Sequence, residues 1–206
     1  MTQENENRIA IDFIDPLFAV VLNVSFAQVM QECWFRDFSQ IFLAPYNFEV
    51  ATLVFLGYVT VILSWVGYHR SINKAPLTVG HAPGFARFIL DIALLIAYFV
   101  LLVSYKNFDR QLWTLVAIFV LFVAWDHCKR WEWLDRDKPH RRGITVLWLM
   151  VFFLIASSYR FFSVVGDAKW LVLAACLAGT ILYRVHKDHP WPMRALEFLG
   201  WPNRNV

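Results

Sequence analysis

Apolar residues run along this chain in long blocks separated by short polar intervals, without the strict alternation of a half-buried strand. A hydrocarbon layer about 30 Å thick takes roughly 20 apolar residues in helical form to cross. Six blocks reach or approach that length: Ile9–Met30, Phe48–Tyr68, Phe85–Val103, Leu112–Cys128, Ile144–Phe162 and Lys169–Tyr183. The second, fourth and fifth are the least interrupted. The sixth is short, but it is Ala-rich and carries no charge after Lys169. The first holds Arg8, Asp12 and Asp15 near its start, and the third holds Arg87 and Asp91. Backbone in lipid must satisfy its own hydrogen bonds, so a bundle of helices is the architecture on offer. The pattern therefore predicts an all-α, polytopic membrane protein with six spans within residues 1–188. Residues 189–206 form a cytoplasmic or interfacial tail, with Trp191, Phe198 and Trp201 as aromatic anchors.

Composition agrees with that class. Hydrophobic residues make up 59% and charged residues 17%, against about 45–50% and 25% in soluble domains, and mean hydropathy is +0.48. A disordered chain is excluded. The net charge of +3 is too small to argue for nucleic acid by itself. Three cysteines, Cys33, Cys128 and Cys176, show no metal spacing and no disulfide framework. The opening MTQENENRIAID has no basic stretch before an apolar core, so it is not expected to be a cleaved signal peptide.

Charge placement sets the expected orientation. With the amino terminus inside, fourteen of the 19 Lys and Arg face the cytoplasm: Arg8, three from Arg70 to Arg87, six from Lys129 to Arg142, and four from Arg184 onward. Only Arg36, Lys106, Arg110, Arg160 and Lys169 face outward. Short loops biased this way mark the inner side. Six spans then place both termini in the cytoplasm.

Ionisable groups within a span raise a functional hypothesis by default. In the first span Arg8 and Asp12 are spaced for a local pair, and Asp15 follows one turn later. By the helical period Phe13, Pro16, Val24, Ala27 and Gln31 lie within about 40° of Val20, with Asn23 on the flank and Asp15 nearly opposite. That stripe either lines a narrow path or packs against a neighbouring helix by its small residues. Trp65 and His69 share a face at the end of the second span, and the expected partner of His69 is Asp15. The alternative is a belt Trp and a snorkelling base. Arg87 and Asp91 read as a local salt bridge, and Asp126 and His127 as interface groups. His186 and His189 have a ligand-like spacing, but a metal needs further converging ligands, and no metal or other cofactor is expected.

The Phe13-Ile14-Asp15 segment followed by Leu17-Phe18-Ala19-Val20, with the ending Trp65…His69-Arg70 of the second span, resembles the transmembrane protein 175 family. Its members are atypical potassium or cation channels of bacteria, archaea and lysosomes. The resemblance covers about the first 70 residues. Ile14 stands where the motif has Ser, and Pro16 where a small residue is usual. It implies a homotetramer in a bacterial plasma membrane whose first helices line a pore for potassium or other cations, without enzymatic chemistry. Val20 matches the family's hydrophobic constriction and Asn23 a position often held by Thr. Val24, Ala27 and Gln31 continue the lining, while Phe13, Asp15, Trp65 and His69 form a structural lock.

The segment Cys128–Gly143 carries Lys129, Arg130, Arg136, Lys138, Arg141 and Arg142 against three acids. Positive-inside topology and anionic lipid explain it simply. A sharper reading makes it a regulatory surface for an anionic nucleotide or oligonucleotide, with Trp131 and Trp133 stacking on bases. The channel would then be the membrane effector of an anti-phage system. A different class, a non-conducting scaffold or an integral-membrane enzyme, stays open at this point.

Overall fold

A computed structural model describes residues 3–31, 45–74, 81–133, 140–162 and 168–188. They form six helices: α1 (Gln3–Val29), α2 (Pro45–Lys74), α3 (Ala82–Val103), α4 (Phe108–Trp133), α5 (His140–Phe162) and α6 (Ala168–Asp188). The protein is all-helical, and five of the helices are long and apolar enough to cross a membrane: Asp12–Val29, Val50–Asn73, Ala82–Val103, Phe108–Trp131 and Gly143–Arg160. The sixth expected span is not among them. Lys169 and Arg184 bracket an uncharged run of only Trp170–Tyr183, short for a bilayer crossing. Cys33 and the 189–206 tail lie outside the described residues.

Helices α2 to α6 close into a ring, each touching its sequence neighbour and α6 returning to α2. Helix α1 stands outside that ring, packed mainly on α3 and more lightly on α2. Its buried residues Ile14, Phe18, Ser25 and Val29 share one face, set by the 3.6-residue period. Ser25 and Tyr58 hydroxyls lie 3.1 Å apart and tie α1 to α2.

Aromatics fill the ring. Phe119 stacks on Phe152 at 4.4 Å and meets Tyr183 edge-on at 4.9 Å, joining α4 to α5 and α6. Phe108 and Tyr159 meet at 4.5 Å at the other end. There the Gln111 amide of α4 donates to the Leu53 carbonyl of α2 at 2.8 Å. Gly57 sits beside Gln111 and Leu102, where a side chain would crowd the helix contact.

Two polar clips cross the opposite end. Arg87 and Asp91 of α3 are 0% and 4% exposed, so the two residues spaced for a local salt bridge are buried in the bundle. The Trp125 indole donates to Asp91 Oδ1 at 2.7 Å, and the Arg87 guanidinium lies over the same ring at 4.5 Å. Asp126, expected as an interface group, is tied to two neighbouring helices. It accepts from Lys187 Nζ at 3.0 Å and from Thr145 Oγ1 at 2.7 Å, which clips α4, α5 and α6 together. Burial opposes the Lys187 charge, yet Tyr183 and Asp126 hold its ammonium above the usual lysine range.

Trp125→Phe keeps the ring and removes the indole donor from a buried carboxylate. The expected loss is about 1–3 kcal/mol of stability, read from denaturant or thermal unfolding in detergent. Unchanged stability would show that the Trp125–Asp91 bond contributes nothing net.

Candidate functional site

Three arrangements concern function, and each is built from helix faces. The first lies between α1 and α2. His69 Nε2 sits 2.9 Å from Asp15 Oδ1, and the Trp65 indole reaches the same oxygen at 3.3 Å. Trp65 and His69 stand edge-to-face at 4.9 Å, as their spacing of four residues allows. Phe13 meets Phe88 of α3 at 5.7 Å. Of the four residues named from the sequence as a lock, Asp15, Trp65 and His69 come together between α1 and α2, while Phe13 packs instead on α3. The pair is half-open, with side chains 29% and 34% exposed, so solvent screens part of its attraction.

The second is the outward face of α1. Val20 and Val24 are 54% and 48% exposed, and Asn23, Ala27 and Gln31 are exposed with them. None of the five packs into its own protomer. Their side of the helix is opposite the face that holds Ile14, Phe18 and Ser25. A valine in such a place suits lipid. An amide at mid-span does not, because apolar surroundings leave its donors and acceptors unmet.

The third was not foreseen from the sequence. A partly open cavity of about 70 Å³ lies between α2, α3, α4 and α6, with Phe18 of α1 also in its lining. Thr60, Ser64, Gly67 and Ser71 give it one wall from α2. Their spacing of four, three and four residues puts small polar groups on one helix face. That spacing is legible in the sequence, although Ser71 lies beyond the apolar block that ends at Tyr68. Opposite stand Asp91, Tyr98 and Trp125, with Thr180, Tyr183, Arg184 and Lys187 from α6.

Searches of family models, curated proteins and solved structures found no match.

The likeness to the transmembrane protein 175 channels therefore rests on the motifs themselves. Within the cavity, Gly67 has a local task. A Cβ there would overlap the Arg184 guanidinium, so glycine is what lets that group lie against α2. Thr60 and Thr180 donate to the Leu56 and Cys176 carbonyls four residues back, at 2.8 and 2.9 Å. Their oxygens are left as acceptors. Lys129 donates to Ser71 Oγ at 2.7 Å and lies 5.6 Å from the Trp125 ring centre.

Of the six basic residues expected to form a surface at Cys128–Gly143, Lys129 turns toward the bundle, drawn by the indole and the serine hydroxyl. Arg130 and Trp131 are exposed at the end of α4. Arg136 and Lys138 lie outside the described residues, as do the side chains of Arg141, Arg142 and Trp133. Cys128 and Cys176 are not joined in a disulfide.

Asp15→Ala and His69→Ala are each expected to lower thermal stability by on the order of 1 kcal/mol, discounted for exposure. The double variant should lose less than the sum, since both changes delete one interaction. Strictly additive losses in a denaturation cycle would remove the lock.

Proposed function

We propose that this chain forms a homotetrameric cation channel in which four copies of α1 line the conduction path. The observation that carries the reading is the outward face of α1, where Asn23 stands among Val20, Val24 and Ala27, with Gln31 just past the end of the helix. An exposed amide inside a span costs least against water or another subunit. A central path bordered by four such helices supplies both. Val20 would close the path as a hydrophobic ring, by narrowing it and by shedding water. Asn23 and Gln31 would give carbonyl oxygens to a partly dehydrated cation. Transport down a gradient needs no reaction, and no enzymatic role is proposed.

Further support comes from the division of labour between helices. The ring α2–α6 is closed on its own aromatics, while α1 is held at one end by Asp15, His69 and Trp65. A frame that fixes one edge of a lining helix leaves its opposite face to meet copies of itself. The topology we favour counts α6 as a sixth crossing, shielded by α2 and α5, with both termini in the cytoplasm and the plasma membrane as its site. The concentration of Lys and Arg at one end of the bundle supports that orientation.

Val20→Gly should widen the constriction and raise potassium flux from loaded proteoliposomes several-fold, with growth inhibition on expression. Val20→Trp should abolish flux. The same changes at Leu171, which is exposed on α6, should leave flux unaltered. Absence of cation flux from the wild-type tetramer under every voltage and pH tried would overturn the channel.

A further inference from the structure

Water inside a membrane bundle needs space, a way in and polar partners. The cavity between α2, α3, α4 and α6 offers all three. Its volume of about 70 Å³ exceeds the roughly 10–15 Å³ in which one water fits. Along α2 its wall runs from Ser71 to Thr60, about 16 Å at the helical rise and half the thickness of a hydrocarbon layer. Thr60 and Thr180 are buried at one end, whereas Ser71, Arg184 and Lys187 at the other are partly exposed. The cavity thus opens at the Ser71 end and deepens toward mid-span.

The partners decide, because a cavity lined by carbon alone stays dry. Thr60 and Thr180 spend their protons on the Leu56 and Cys176 carbonyls, so their oxygens can accept from water at the deep end. Tyr98 and Ser64 hydroxyls pair beside them. The Tyr68 hydroxyl is buried near Asp91 without a well-formed hydrogen bond. A phenol left so is costly. One water set between the two would accept from Tyr68 and donate to the carboxylate, which takes several donors besides the Trp125 indole. Water is neutral, so its place here does not depend on how the charged side chains around the mouth are paired.

We propose that this cavity is a hydrated vestibule, open at the Ser71 end, in which water reaches Thr60 and Thr180 and bridges Tyr68 to Asp91. Half of the apolar barrier within each protomer is then crossed by water. Phe18 closes one side of the vestibule from α1, and Val20 points the other way. The vestibule and the outward face of α1 therefore lie on opposite sides of that helix, and the inference stands or falls apart from the channel reading.

The test uses the full chain in lipid nanodiscs. Brief X-ray pulses make hydroxyl radicals from whatever water is at hand, and side-chain oxidation is read by mass spectrometry. Tyr98 and Tyr105 are alike buried, at 2% and 1% exposure, and of the two Tyr98 lines the cavity. Tyr98 should be oxidised at least about tenfold faster than Tyr105 in the unmodified chain. Ser64→Leu, which fills the space with hydrocarbon, should slow Tyr98 at least about fivefold and leave Tyr105 unchanged. A second measurement compares two faces of α2 at one depth. In a chain without its native cysteines, Ser64→Cys faces the cavity and Ile62→Cys takes a position 48% exposed on the other side of the helix. Thiolate forms only where water reaches, so Ser64→Cys should react with iodoacetamide at least about tenfold faster. Equal oxidation of Tyr98 and Tyr105, a Tyr98 rate untouched by Ser64→Leu, or reaction at Ser64→Cys no faster than at Ile62→Cys overturns the vestibule. Neither measurement reads cation flux, so failure here leaves the channel reading as it was.

Discussion

The cost of holding charge away from water organises this bundle. Arg87 and Asp91 sit in its interior at 0% and 4% exposure, where an isolated ion would be strongly disfavoured. Each is matched to the Trp125 ring, one by its face and one by its N–H. Asp126 is satisfied from two other helices by Lys187 and Thr145. All these groups lie at one end of the ring, so the helices there are held by directional polar contacts. The other end is held by Phe108 on Tyr159 and by one amide on one carbonyl. The two ends of the bundle thus differ in kind: one specifies which helices meet, and the other fills space.

This division explains what could be read from the sequence. The apolar blocks announced the helices because lipid or core surrounds most of each length, and five satisfy the demands of a crossing. The Asp15–His69 contact was legible because both residues sit near the same end of consecutive antiparallel segments and few other partners were in reach. Charges nearest the helix ends were misjudged for one reason. Proximity to a block boundary suggested an interface for Asp126 and a basic surface for Lys129, while the interhelical packing draws both toward neighbouring helices. Whether a terminal charge faces out or in depends on which helix lies beside it, and the ring order of α2 to α6 is not a local property. The sixth block shows the same limit, since Lys169 and Arg184 leave it too short to classify by length alone.

The cavity illustrates how a site emerges from parts that look ordinary separately. Thr and Ser in an apolar helix commonly return their protons to the preceding turn, as Thr60 and Thr180 do. Glycine in a membrane helix usually marks close packing. Here Gly67 makes room for a cation and not for a neighbouring backbone. The polar stripe of α2 acquires meaning only when the Arg184 turn of α6 is opposite it.

The position of α1 outside the ring has a consequence for biogenesis. Its main partner, α3, is synthesised two segments later, so α1 enters the bilayer before the surface it will rest on exists. Until then its Asp15 carboxylate would have to stay near the headgroups. Completion of α2 brings His69 and Trp65 to that carboxylate, and the two segments can settle as a hairpin. Ser25 against Tyr58 fastens the hairpin further along. The polar contacts between the first two helices can therefore form before α3, the main packing surface of α1, has been made.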